Sequence, residues 1–125
     1  MQKFPRRWSK VTCINYLQRK IILNSIMYYE YDVSRLSDEF FDEISFQLVS
    51  LQKDFAKSGH SVEKETEYGY MMYDFDGSTG FDLYKRLNSH DTEYLTLLVL
   101  QGLPKDNKNN SVVENKSIKK KGRLF

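Results

Sequence analysis

The sequence predicts a mainly α-helical protein. It begins with an N-terminal antiparallel helical hairpin, followed by a short extended or β segment, one or two shorter helices and a flexible C-terminal tail. Two observations support this prediction. Apolar residues recur at three- and four-residue intervals through most of residues 10–57, which is the period of an α-helix. A short connector interrupts that pattern only once, which is typical of two helices packed antiparallel. We assign residues 1–103 to one helical domain and residues 104–125 to a basic tail.

The first helix is predicted from Ser9 to Tyr29. Ser9 can accept a hydrogen bond from the first helical turn, and Pro5 disfavours an earlier start. Because helical periodicity places residues three and four apart on one face, this helix has an apolar side that should be buried. That side carries Ile14, Leu17, Ile21 and Tyr28.

The second helix follows the connector Glu30–Leu36. Ser37 is the predicted N-cap, and the acidic residues Asp38 and Glu39 suit the positive end of the helix dipole. The helix should end near Gly59, since glycine readily adopts a left-handed conformation. Its apolar stripe is the most regular in the chain and consists of Phe41, Ile44, Leu48, Leu51 and Phe55.

The remaining sequence is less periodic. Residues Tyr68–Phe75 are rich in aromatic rings and predict an extended segment or a short strand. The "DGSTG" stretch at 76–80 predicts a turn before a short helix that runs to Leu87. A last helix should be capped by Ser89 or Asp91 and end at Gly102-Leu103-Pro104. The Lys- and Asn-rich residues 104–125 predict the flexible tail.

Charge is strongly segregated along the chain, although the net charge is only +2. Residues 1–29 hold six Lys/Arg and no acid, residues 30–93 hold fifteen acids against six bases, and residues 102–125 hold seven bases against two acids. Basic ends can contact nucleic acid or an acidic partner, or remain solvated. The residues nominated for such contacts are Arg6, Arg7, Lys10, Lys119, Lys120 and Lys121.

Several classes of protein are disfavoured. The longest strictly aliphatic run, Leu97–Leu100, is far too short for a bilayer, and the N-terminus lacks the apolar core of a secretory signal. A single cysteine, Cys13, suits a reducing compartment, so we expect a cytoplasmic protein without membrane contact. Cys13, His60 and His90 match no zinc-binding spacing, and we expect no metal site.

The junction of the two predicted helices combines rings and acids. Asp38, Phe41 and Asp42 are spaced i, i+3 and i+4, so they share the opening turns of the second helix. Tyr28 and Tyr29 close the first helix. Rings can sandwich a flat heterocycle, and carboxylates can accept hydrogen bonds from ribose hydroxyls or an amide. The alternative is that the rings belong to the core and the acids only cap the helix.

The stretch "YYEYDVSRLSDEFFDEISFQL" resembles the N-terminal Ia domain of bacterial NAD-dependent DNA ligases, and the resemblance covers about residues 10–57. It implies a site for the nicotinamide mononucleotide (NMN) half of NAD. Tyr28 and Tyr29 would stack on or orient the nicotinamide, and Asp38 and Asp42 would bond its ribose or amide. Phe41 occupies the remaining aromatic position, where the family usually has tyrosine, and some members have histidine in place of Tyr29.

The chain departs from the ligases in one decisive respect. It contains no K-x-D-G motif, whose lysine takes AMP in ligase chemistry. We therefore expect a non-catalytic protein with no required cofactor, similar to short ligase-related proteins of phages and mobile elements.

Three functions stay open at this point. The first is a module that binds NMN or NAD. The second is a phage anti-defence inhibitor of the anti-CRISPR type, which binds a host nuclease or a replication protein through its acidic surface. The third is an accessory protein that binds DNA through its basic ends.

Overall fold

The computed structural model describes residues 1–78 and 82–103. These residues are mainly helical and contain no β-strand. Within the same ranges, no helix is long and apolar enough to cross a membrane. The elements are α1 (Lys10–Tyr31), α2 (Asp38–Lys57), α3 (Val62–Glu65), α4 (Gly69–Met72), a 3₁₀ helix (Leu83–Arg86) and α5 (Ser89–Gly102).

The N-terminal hairpin is confirmed, with α1 slightly longer than predicted. Ser9 is its N-cap, and its hydroxyl accepts a hydrogen bond from the Thr12 N–H at 3.2 Å. The helix continues to Tyr31 and ends at Asp32, which adopts a left-handed conformation with φ of 53°. The Asp32 N–H donates to the Tyr28 carbonyl at 3.2 Å. Because aspartate tolerates this conformation better than most side chains, the chain turns here without a glycine.

The core lies between α1 and α2 and is covered on one side by the shorter elements. The predicted stripe of α2 faces it, with Ile44, Leu48 and Phe55 buried and Phe41 and Leu51 packed at its edge. Apolar burial is the main favourable contribution to such a hairpin. The buried apolar residues of α1 are Cys13, Ile14, Leu17, Ile21, Ile22, Ile26 and Met27, whereas Tyr28, which was predicted on the same face, is 43% exposed.

The prediction of an extended or β segment at Tyr68–Phe75 is wrong. Residues Gly69–Met72 form the helical turn α4. Most of the aromatic and apolar residues here are buried by a compact helical turn that packs closely on α3, where a Cβ placed on Gly69 would lie 1.9 Å from the Val62 carbonyl oxygen. The residues around Gly69 are apolar because this compact turn is buried in the core.

The C-terminal elements follow the predicted order. The 3₁₀ helix begins at Leu83. The N-cap of α5 is Asn88, one residue before the earliest predicted cap, and its side chain accepts a hydrogen bond from the Asp91 N–H at 2.7 Å. Helix α5 buries Leu95 and Val99 against the hairpin and ends at Gly102 as predicted. The predicted tail, residues 104–125, lies outside the described residues.

Candidate functional site

The turn between α1 and α2 brings the ends of both helices together. Val33 donates its N–H to the Met27 carbonyl at 2.9 Å, which folds the chain back directly after α1. Ser37 then caps α2, since its hydroxyl accepts a hydrogen bond from the Phe40 N–H at 3.1 Å. The connector therefore closes one end of the hairpin with its own backbone and side-chain hydrogen bonds.

A cavity of about 340 Å³ opens at this end of the hairpin. This volume lies within the range of small-molecule sites in proteins. All five residues that the sequence nominated for nucleotide binding line it, so the structure brings them together in one place. The lining consists of Asn24, Ser25, Tyr28, Tyr29, Ser34, Arg35, Leu36, Asp38, Phe41 and Asp42.

The aromatic side of the cavity is built from rings that contact one another. The ring centroids of Tyr28 and Tyr29 are 4.8 Å apart, with their planes at 87°. Tyr29 stacks in turn on Tyr84 from the 3₁₀ helix, at 6.5 Å and 23°. Tyr28 is 43% exposed, whereas Tyr29 and Phe41 are partly buried. The orientation of Tyr29 is therefore fixed by a ring on each side.

Two of these phenols are held neutral. Burial raises the pKa of Tyr29 above its ordinary value, and the neighbouring Tyr28 raises it further. Burial also raises the pKa of Tyr84, whose hydroxyl donates a hydrogen bond to the Glu30 carboxylate. At neutral pH both rings carry a hydroxyl group, and that of Tyr84 points to Glu30.

The charged side of the cavity is acidic. Asp38 and Asp42 are exposed and lie one turn apart on α2. Arg35 is the only cationic side chain among the lining residues, so one guanidinium and two carboxylates leave a net charge of −1. Nη2 of Arg35 donates a hydrogen bond to the carbonyl of Gly102 at the end of α5. The site therefore favours ligands that carry hydrogen-bond donors or positive charge.

Sequence reasoning missed several residues of this site. Ser25 is 2% exposed, and its hydroxyl has no hydrogen-bond partner among the described residues. Asn24 donates from Nδ2 to the Lys20 carbonyl at 2.7 Å. Both precede Tyr28 by three or four positions, so helical spacing could have placed them at the cavity. No local sequence pattern could have predicted the contact of Tyr84 with Tyr29, because the two residues are far apart in sequence.

The residues nominated for nucleic acid or a partner lie elsewhere. Arg6 and Arg7 are exposed in the segment before α1, and Lys10 is the first residue of that helix. Lys10 and Tyr28 are separated by about 27 Å along the helix axis at 1.5 Å per residue. The structure does not bring these residues to the cavity. Lys119, Lys120 and Lys121 lie outside the described residues.

Residues 1–78 and 82–103 contain no group of three or more His, Cys, Asp or Glu side chains that could hold a metal ion. Comparison of the chain with protein-family models, with curated proteins and with solved structures finds no match.

Proposed function

We propose that this protein is a non-catalytic binding module for a nicotinamide nucleotide, either NMN or the NMN half of NAD. One observation carries the proposal. The five residues named from the sequence, Tyr28, Tyr29, Asp38, Phe41 and Asp42, line a single cavity of suitable size. The similarity of this stretch to the ligase Ia domain indicates the class of ligand, and the cavity is the proposed binding site for it.

The chemistry of the lining fits this ligand. Nicotinamide is flat, and as the pyridinium of NMN it carries a positive charge. Aromatic rings attract a cation placed over their faces, and the carboxylates of Asp38 and Asp42 add to the attraction for the pyridinium, while Arg35 is the lining cation that can offset the charge of the phosphate. Asp38 and Asp42 offer acceptors to ribose hydroxyls or to the carboxamide N–H groups. The rings of Tyr28, Tyr29 and Phe41 offer apolar surface to the heterocycle.

Binding without ligase catalysis agrees with the sequence. These 125 residues contain no K-x-D-G motif and therefore no lysine in the setting that accepts AMP. We propose that the module is of the phage or mobile-element type and that it acts in the cytoplasm by holding the nucleotide.

Calorimetric titration with NMN tests the proposal. The full chain should bind NMN, and Asp38→Asn/Asp42→Asn should weaken that binding at least tenfold. A matched control, Glu39→Gln/Glu43→Gln, also removes two carboxylates from the opening turns of α2, but from residues that do not line the cavity. It should bind NMN within twofold of the wild type. Absence of binding at millimolar NMN would overturn the proposal.

The exposed acidic surface favours a second candidate function. Every acidic residue between positions 30 and 93 is exposed except Asp32 and Asp91. Such a surface can imitate nucleic acid and occupy the basic groove of a nuclease. We propose as the alternative an anti-defence inhibitor of a host nuclease or replication protein. A nuclease captured equally by the wild type and by Asp38→Ala/Asp42→Ala would support it, and capture by neither would count against it.

A further inference from the structure

Three aromatic rings form a cluster at the opposite end of α1 from the cavity. The ring centroids of Phe4 and Trp8 are 5.8 Å apart, those of Phe4 and Tyr16 are 6.0 Å apart, and those of Trp8 and Tyr16 are 5.7 Å apart. Tyr16 is 37% exposed, and Phe4 and Trp8 are partly buried. The cluster, which we call the N-terminal aromatic surface, therefore presents ring surface to solvent.

A tight turn places two cations beside these rings. The Trp8 N–H donates to the Pro5 carbonyl at 3.1 Å, so Arg6 and Arg7 occupy the two central positions of a β-turn. Both arginines are exposed, and the rings of Phe4 and Trp8 flank the turn. The turn therefore places the backbone of both arginines next to the aromatic surface.

The first ten residues are purely basic. They contain Lys3, Arg6, Arg7 and Lys10 and no acid, and all four cations are exposed. Within the part of the chain that the structure describes, none of the four forms a salt bridge. Their charge is therefore available to an anionic partner.

The segment is fastened to the hairpin by hydrogen bonds. The Gln2 N–H donates to Oε1 of Gln47 at 3.0 Å, and Nε2 of Gln47 donates back to the Gln2 carbonyl at 2.9 Å. Nζ of Lys20 also donates to Oε1 of Gln2 at 2.8 Å. The rings and cations are thus presented on a formed surface, so a partner need not order the segment on binding.

We propose that the N-terminal aromatic surface and its four cations bind single-stranded nucleic acid. Bases would stack on the rings of Trp8 and Tyr16, and backbone phosphates would pair with Arg6 and Arg7. Proteins that bind single-stranded nucleic acid usually combine aromatic rings, on which the bases stack, with cations along the path of the nucleic-acid backbone. A duplex is a poorer fit because its bases are already stacked.

Fluorescence of Trp8 tests the proposal directly, since it is the only tryptophan in the chain. Titration of the full chain with a twelve-residue oligothymidine should quench this fluorescence in a saturable, salt-sensitive manner. Arg6→Ala/Arg7→Ala should weaken binding at least fivefold. It should also reduce the slope of log affinity against log salt by about 1.4, since two phosphate contacts are lost and each contributes roughly 0.7 in single strands.

A control variant separates this surface from other basic regions of the chain. Lys53→Ala/Lys64→Ala removes two exposed cations from α2 and α3, and it should change affinity less than twofold. Equal loss in both double variants, or binding without any change in Trp8 fluorescence, would overturn the proposal. Quenching by phosphatidylglycerol vesicles but not by the oligonucleotide would overturn it as well, and would identify a membrane as the partner.

Variants at Trp8 test the stacking step. With a fluorescently labelled oligothymidine, Trp8→Phe should retain affinity within threefold, whereas Trp8→Ala should lose at least fivefold. Circular dichroism establishes that each variant keeps the helical fold. Unchanged affinity in a folded Trp8→Ala protein would contradict a stacking role.

Discussion

Gln18 of α1 and Gln52 of α2 hydrogen-bond to each other inside the hairpin, with Nε2 of Gln18 donating to Oε1 of Gln52 at 2.8 Å. Gln18 is 0% exposed and Gln52 is 4% exposed. The amide of Gln18 also donates to the Thr66 hydroxyl at 2.9 Å, and its oxygen accepts from the Tyr68 N–H at 3.0 Å. Nε2 of Gln52 donates to the Met72 carbonyl at 2.9 Å. Two buried amides thus join the hairpin to the segment that forms α4.

Gln18→Leu should destabilise the protein by about 3 kcal/mol. The substitution conserves size but leaves the Gln52 oxygen and the Tyr68 N–H buried without partners, and each such group costs roughly 1–3 kcal/mol. Urea unfolding followed by circular dichroism measures the change. Gln101→Leu, at an exposed position on α5, is the control and should change the free energy of unfolding by less than about 0.5 kcal/mol. Wild-type stability in Gln18→Leu would contradict a structural role for this network.

Gly69→Ala should destabilise the protein by about 3 kcal/mol, because its Cβ would collide with the Val62 carbonyl oxygen, which belongs to the backbone and cannot rotate away. Gly102→Ala provides the contrast, since no heavy atom lies within 4 Å of a Cβ at that position near the end of α5. This second substitution should be neutral or stabilising by up to about 1 kcal/mol through helix propensity. Thermal unfolding should therefore show a lower midpoint for Gly69→Ala and an unchanged or higher midpoint for Gly102→Ala, and equal shifts would argue against the tight α3–α4 contact.

Tyr70 should make stability depend on alkaline pH. Its hydroxyl donates to Oδ2 of Asp91 at 2.6 Å, and burial together with this bond raises the pKa of Tyr70 to about 12. The pKa of Tyr70 in the folded protein exceeds its unfolded value near 10. The protonated hydroxyl therefore stabilises the folded protein fully below pH 10, and this stabilisation is lost as the pH rises towards 12. At pH 8, Tyr70→Phe should cost about 1 kcal/mol.

Urea unfolding of the wild type and Tyr70→Phe at pH 8 and pH 11 measures this dependence. The difference in the free energy of unfolding between the wild type and Tyr70→Phe should shrink by about 1 kcal/mol for each pH unit above 10. Tyr73→Phe, at an exposed ring, is the control. A difference between wild type and Tyr70→Phe that stays constant from pH 8 to pH 11 would contradict the assignment.

Tyr84→Ala should weaken NMN binding three- to tenfold although Tyr84 does not line the cavity. Its ring stacks on Tyr29, so removing it frees Tyr29 to turn away from the ligand. Tyr84→Phe keeps the ring and loses only the hydrogen bond to Glu30, so it should bind NMN within twofold of the wild type. Calorimetry of both variants measures the effect. A greater loss in Tyr84→Phe than in Tyr84→Ala would show that the ring is not what matters.

The sequence predicted those parts of the fold whose cause is local. The stripe from Phe41 to Phe55 repeats every three or four residues, and Ser37 and Gly59 mark the two ends of α2, where Gly59 has φ of 91°. Each of these signals acts within a few positions of the chain. For the same reason the aromatic and acidic residues at the helix junction could be assigned to one place from their spacing alone.

Other features depend on residues that are distant in sequence. Gln18 interrupts an apolar face, and nothing near it reveals that its partners lie 34 to 50 positions away. The helical turn at Gly69 packs against the carbonyl of Val62 in α3, and a rule based on aromatic content does not detect this contact and predicts a strand instead. Tyr84 lies behind Tyr29 only because the 3₁₀ helix docks beside α1. Such features arise from tertiary packing, which produces no periodic pattern in the sequence.

The hydrogen bond from Arg35 to the carbonyl of Gly102 connects the lip of the cavity to the last turn of α5, across 67 positions of sequence. A ligand that binds more tightly when this hydrogen bond is formed would stabilise the packing of α5 on the hairpin. By thermodynamic reciprocity, loss of the α5 contact would then reduce the affinity of the cavity for that ligand. Ligand affinity and the docking of α5 would thus be coupled through one hydrogen bond.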